Sequence, residues 1–149
     1  MRICPDTSFL VSWLYSPDLL HSKARNWFAS HSANEWVITP WSEFETVNTL
    51  RQLCVRSRGP RPSQVEAVRR LFSHLFRSGP LKRHAVDWFD AITDCHQISA
   101  AFGTRQKCRA ADVLHVALLE QINPDLFVSG DQDQVALATA RGFNSALFF

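Results

Sequence analysis

A handful of acidic side chains in this sequence stand where a carboxylate can do more than solvate a surface. Asp6 directly follows the short segment Arg2-Ile3-Cys4 and Pro5, and Asp131 follows Leu126-Phe127-Val128-Ser129-Gly130. If those segments are neighbouring parallel strands, both carboxylates project over one rim, although Asp at a helix start is by itself a preferred N-cap. Asp112 lies among Ala110, Ala111, Val113, Leu114, Val116 and Ala117, on a helix apolar nearly all round and therefore expected to be buried. A carboxylate there needs Arg109, His115 or a bound cation as compensation, because burying it unpaired is expensive. Glu43 and Glu45 share another helix. Its phase puts Phe44, Val47, Leu50 and Cys54 on one face, with Glu43 beside them and Glu45 roughly opposite, so periodicity alone selects Glu43 as the inward acid.

Carboxylates gathered at one rim raise one another's pKa. A hard cation, Mg²⁺ or Mn²⁺, resolves that repulsion, since it takes oxygen ligands, keeps some water and bridges to phosphates. The distribution of positive charge suits the same chemistry. Of the 16 Lys and Arg, nine fall between Arg51 and Arg83 beside a single acid, Glu66, while the rest of the chain is net acidic. Arg-rich helix faces are often merely solvated. Next to an organised acidic site, the same segment offers a surface for a polyanion, with the acids working on one phosphate and the arginines holding its neighbours.

Positioning those residues requires a core, and the chain can build one. Its 149 residues, 46% hydrophobic with 11 Phe and five Trp, suit a single domain spanning residues 1–149. The few glycines and prolines argue against a disordered or fibrous chain. No apolar run is long enough to span a bilayer, and Asp6 interrupts the stretch a signal peptide would need, so a cytoplasmic protein without a membrane partner is expected. The scattered Cys4, Cys54, Cys95 and Cys108 are expected to be reduced thiols, and Cys95, His96 and Cys108 match no familiar zinc spacing.

Short strands are expected at Arg2–Cys4, Trp36–Thr39, Leu126–Ser129 and Ser145–Phe148. Helices are expected at Phe9–Leu14, from Ser16-Pro17-Asp18 through Phe28, from Ser42 to about Val55, and from a Ser63 cap to near Gly79. Further helices are expected over Trp88–Phe102, Arg109–Ile122 and Gln132–Arg141, with Lys82–Val86 as a linking stretch. Strands alternating with helices imply an α/β fold with a mostly parallel sheet, in which chemistry collects beyond the carboxyl ends of the strands.

Four blocks carry a resemblance: Pro5-Asp6-Thr7-Ser8-Phe9-Leu10-Val11; Thr39-Pro40 with Glu45-Thr46-Val47-Asn48-Thr49-Leu50-Arg51; Arg109-Ala110-Ala111-Asp112-Val113-Leu114-His115; and Phe127-Val128-Ser129-Gly130-Asp131 running on to Gly142-Phe143. In this order they resemble the PIN-domain family, and within it the VapC-like toxin ribonucleases. The resemblance implies a three-layer α/β/α sandwich around a sheet of about five strands. It implies an Mg²⁺- or Mn²⁺-dependent endoribonuclease, the toxin of a toxin–antitoxin pair, with RNA as substrate, a VapB-like antitoxin partner and a homodimeric assembly. Asp6, Glu45, Asp112 and Asp131 match the family's catalytic, metal-binding acids. The family's Glu, Asn and Leu spacing selects Glu45, against the helical phase. Thr7 and Ser129 resemble its supporting hydroxyls, and Arg51, Arg56, Arg58 and Arg109 are candidates for holding RNA. Gly130 and Asp133 depart from the subgroup, which often has an aromatic and a basic residue there, and Cys108 stands where glycine-containing loops are usual. His115 is expected to be a packed or hydrogen-bonded side chain. The alternatives are a catalytically silent PIN-like module that binds RNA, a receiver domain, which would need an acidic pair and a late lysine, and a D-x-D phosphatase, whose motif Asp6-Thr7-Ser8 does not supply.

Overall fold

The computed structural model describes residues 1–149, the side chain of Ser78 excepted. Its elements follow one another as β1 (Arg2–Pro5), α1 (Thr7–Leu14), α2 (His21–Ser30), β2 (Glu35–Ile38), α3 (Pro40–Leu53), α4 (Pro62–Ser78) and β3 (Leu81–Arg83), then α5 (Trp88–Phe102), α6 (Ala110–Ile122), β4 (Leu126–Ser129), α7 (Gln132–Arg141) and β5 (Ser145–Leu147). The strands pair in parallel in the order β3-β2-β1-β4-β5. The chain builds outward from β1 to β3, crosses back to lay β4 on the other side of β1, and ends at β5.

Side-chain alternation along the strands divides the core into two layers. Ile3, Trp36, Ile38 and Val128 pack under α1 to α4 with Phe9, Leu10, Leu50, Val68 and Phe72. Their strand neighbours Cys4, Val37 and Phe127 face the opposite way, onto Ile98, Val113, Val116, Ile122 and Leu137 of α5 to α7. Helices on both faces of a parallel sheet give the three-layer α/β/α sandwich that the resemblance implies. No helix among the described residues is long and apolar enough to cross a membrane.

Three expectations change. Lys82 and Arg83, read as part of a linking stretch, form with Leu81 a fifth strand paired to β2. It escaped detection because Lys82 and Arg83 are exposed and charged. As an edge strand β3 needs no apolar pattern, and its charges pair with Glu35 at 3.0 Å and Glu43 at 2.7 Å. Helix α2 starts at His21 rather than at Ser16-Pro17-Asp18: the Asp18 carboxylate accepts from Leu20 N at 2.8 Å, a local turn that leaves Leu19 99% exposed. Helices α3 and α4 start at Pro40 and Pro62 rather than at Ser42 and after a Ser63 cap, because a missing N–H costs nothing at the first helical position.

Candidate active site

The junction of β1 and β4 is the point where strand order reverses, and a crevice opens there beyond the carboxyl ends of both strands. The register Pro5↔Val128 sets Asp6 and Ser129 side by side at its floor. The result is a cleft of about 440 Å³ whose lining includes Asp6, Glu45, Asp112, Asp131, His115 and Arg109. All four acids of the family pattern thus line one cleft.

Asp6 is 2% exposed and caps α1: its Oδ1 accepts from Phe9 N at 2.9 Å and from Ser8 Oγ at 2.7 Å. Its Oδ2 accepts from Ser129 Oγ, also at 2.7 Å. Burial pushes this carboxyl above its ordinary value, against the opposing pull of the Phe9 N–H, the His115 charge and the two serine hydroxyls. The capping and pocket-lining readings of Asp6 hold together. The same is true of Asp131, whose Oδ1 caps α7 by accepting from Asp133 N at 2.8 Å and Gln134 N at 3.2 Å. Asp112 occupies the third position of α6, and its Oδ2 accepts from Arg109 N at 2.7 Å. That backbone bond, not an Arg109 ion pair, is its partner among the described residues.

Glu45 lines the cleft, and Glu43 lies outside it, held by Arg83. Helical phase erred because α3 buries Ser42, Thr46, Val47 and Leu50, while Phe44 is 56% exposed: its inner face is partly polar, so apolar residues mark the wrong stripe. Thr7 Oγ1 and His115 Nε2 both donate to Glu45 Oε2. Burial raises the Glu45 carboxyl, but these two hydrogen bonds and the His115 charge outweigh it and hold the group below the ordinary carboxylate range.

Ser129 has a double task. Its hydroxyl donates to Asp6 and accepts from Asp131 N at 2.8 Å, so one side chain links two of the acids. Ser8, which sequence reasoning passed over, does the complementary work: it donates to Asp6 and accepts from Gly130 N at 2.6 Å. Its position two residues after a capping Asp was the available signal. The glycine follows from the packing, because a Cβ at Gly130 would lie 2.7 Å from the Phe148 ring. Phe148 fills space beside the position where an aromatic is usual in the resembling subgroup. Asp18, Thr49 and Gln134 also line the cleft and carried no separate signal in the sequence.

The arginines divide. Arg109 lines the cleft itself. Arg56 and Arg58 line a neighbouring depression with Tyr15 and Pro17, which meets the cleft at Asp18. Arg51 lines a third depression, with Val65 and Glu66. Among the described residues no three His, Cys, Asp or Glu side chains stand together as a ready metal-ligand group. The four acids share a cleft without converging on a point, each tied back by its own helix cap, serine or threonine.

The sequence profile of the PIN domain family matches residues 3–140. No curated protein sequence matches the chain. Among solved structures, the chain is similar to the Mycobacterium tuberculosis VapC20, a sarcin-ricin loop cleaving toxin, at 18% identity and a TM-score of 0.69, covering 95% of each chain. Similar too is VapBC2 of Rickettsia felis, bound to a DNA fragment from its promoter, at 10% identity and a TM-score of 0.71, with 99% of this chain and 98% of that one covered. FitAcB of Neisseria gonorrhoeae aligns at 15% identity and a TM-score of 0.63, over 96% and 95% of the two chains. At these identities the likeness is one of fold.

Proposed function

The chain belongs to the PIN domain family, and from that premise we propose that it is an Mg²⁺- or Mn²⁺-dependent endoribonuclease, the toxin of a toxin–antitoxin pair. The observation that carries this reading is the shared cleft: Asp6, Glu45, Asp112 and Asp131 line one polar crevice at the strand-order reversal. The donor chemistry fits a hard cation, since these four side chains offer only oxygen. Asp112 and Asp131 each keep one carboxylate oxygen outside their capping bonds. Asp6 is a buried anion raised in pKa, which a cation would relieve. Asp6, Asp112 and Asp131, with Glu45, would hold the ion partly through water. When bound, it would stabilise charge on the phosphoryl oxygens and lower the pKa of a coordinated water.

The chain's own residues do the rest. Ser8 and Ser129 fix the Asp6 carboxylate in one orientation. Glu45 holds or orients the attacking water. Arg109 meets the phosphates in the cleft, and Arg56 and Arg58 lie on the adjoining path. Arg51 would act only at longer range. The same arginines offer a seat for an acidic antitoxin segment, a partner suggested by the likeness to VapBC2. The reading further includes a single domain over residues 1–149, a cytoplasmic location, and a homodimer built on exposed apolar residues such as Phe44, Trp88, Phe89 and Ile92.

The absence of a ready three-ligand group among the described residues favours one second reading, a PIN-like module that binds RNA without cutting it. Incubating the purified protein with RNA separates the two. The nuclease reading expects cleavage with Mg²⁺ or Mn²⁺, none with EDTA, and none by Asp6→Asn or Asp112→Asn. RNA binding without metal-dependent cutting selects the second reading. Equal cutting by wild type and both variants means the activity arises elsewhere.

A further inference from the structure

We infer that His115 is a positioning residue for the cleft: through Nε2 it holds one oxygen of Glu45 and so presents the other. The inference rests on the metal-binding part of the proposed reading of the cleft. His115 is three residues beyond Asp112 on α6, so the helical face that brings Asp112 to the rim sets the imidazole one turn deeper. It is 6% exposed there, with the Trp41 ring edge-on at 6.3 Å. An ionised carboxylate only accepts hydrogen bonds, so Nε2 carries a proton in its contact with Glu45 Oε2. Thr7 Oγ1, 3.3 Å from Nε2, donates to the same oxygen.

Both donors converge on Oε2, which leaves Oε1 without a partner among the described residues. A glutamate has three rotatable side-chain bonds, and in a cleft with three other acids repulsion would turn it outward. A buried imidazole on α6 and a hydroxyl on α1 close that freedom, tying α1, α3 and α6 together at one oxygen. A histidine serving packing alone would need no carboxylate at its ring nitrogen.

The test compares wild type, His115→Leu, His115→Gln, Glu45→Gln and the double variant His115→Leu/Glu45→Gln. Mn²⁺ affinity by calorimetry and the kcat and KM of RNA cleavage are measured, with thermal unfolding to establish that each folds. Loss of a hydrogen bond behind a ligating carboxylate weakens metal binding or turnover by roughly 10–100-fold. His115→Leu should lose that much in Mn²⁺ affinity and kcat with little change in KM. His115→Gln, which keeps a donor amide, should recover most of it. The double variant should be no worse than Glu45→Gln alone. Folded His115→Leu with wild-type Mn²⁺ affinity and kcat overturns the inference, as does a double variant whose losses multiply. If the Mn²⁺ pattern appears but RNA is never cut, the inference stands and the nuclease reading falls. If wild type binds no Mn²⁺, both fall.

Discussion

Replacing Asp6 by asparagine should make the metal-free protein more stable while abolishing its proposed activity. Two effects oppose one another. The carboxylate accepts from Phe9 N and Ser8 at Oδ1 and from Ser129 at Oδ2; an amide oxygen in the Oδ1 place weakens the first two bonds, and Nδ2, which only donates, makes Ser129 turn from donor to acceptor, at about 0.5–1 kcal/mol for each of the three. Against this, keeping an ion at 2% exposure costs several kcal/mol even after relaxation. The raised pKa of Asp6, caused first by burial, says that the second effect wins. A net gain of about 1–2 kcal/mol follows, and at roughly 2–4 °C per kcal/mol for a domain of this size the melting temperature should rise by about 2–8 °C. The pH dependence has a definite sign. Because the folded pKa lies above the unfolded one, the folded state binds the proton more tightly. The stability from that proton is fully present below the ordinary value of 3.8 and is lost as pH rises through the folded value. The advantage of Asp6→Asn is therefore largest at neutral pH and fades on acidification. Circular-dichroism melts in EDTA at several pH values measure it. A variant less stable than wild type at neutral pH, or an advantage that grows on acidification, refutes the reasoning and makes Asp6 a net structural cap.

Four further outcomes follow from the same geometry. Ser129→Ala removes the donor to Asp6 and strands the Asp131 N–H, so urea unfolding should show a loss of about 1–3 kcal/mol. Gly130→Ala drives a Cβ to 2.7 Å from the Phe148 ring and 3.1 Å from Ser8 Oγ; it should lose about 1–3 kcal/mol in the same assay. Phe72→Ala empties a fully buried site under the sheet and should cost about 3–5 kcal/mol, far more than Arg83→Ala at the exposed edge pair with Glu43, where less than about 1 kcal/mol is at stake. Arg56→Ala/Arg58→Ala should weaken RNA binding and lower the slope of log affinity against log salt by roughly 1–2, with kcat retained; an unchanged slope would place the RNA elsewhere.

How far the sequence revealed this arrangement depended on whether a residue's role had a local signature. Strands β1 and β4 announce themselves by apolar runs, and Asp6 and Asp131 sit at their ends. Parallel pairing then makes their shared rim a consequence of topology. Helices α5 and α7 have the expected bounds because Asp87 and Asp131 cap them and Gly103 and Gly142 follow them; Gly142 adopts φ 104. Strand β3 was illegible because an edge strand of three residues can carry charge on its exposed positions. The apolar pattern pointed to Glu43 instead of Glu45, since α3 turns Ser42 and Thr46 inward and Phe44 outward; only the ordered family blocks chose Glu45. The links made by Ser8 and Ser129 depend on strand register, which no single segment encodes.

Asp6, Glu45, Asp112 and Asp131, far apart in sequence, are proposed to make one divalent-cation site. A crystal soaked in Mn²⁺ and measured at an anomalous wavelength tests it most directly. A peak is expected in the cleft, ligated directly or through water by Asp6 and at least one of Glu45, Asp112 and Asp131, and absent from Asp6→Asn crystals. Mn²⁺ binding in solution with no peak in that cleft, or with the peak at other residues, contradicts it.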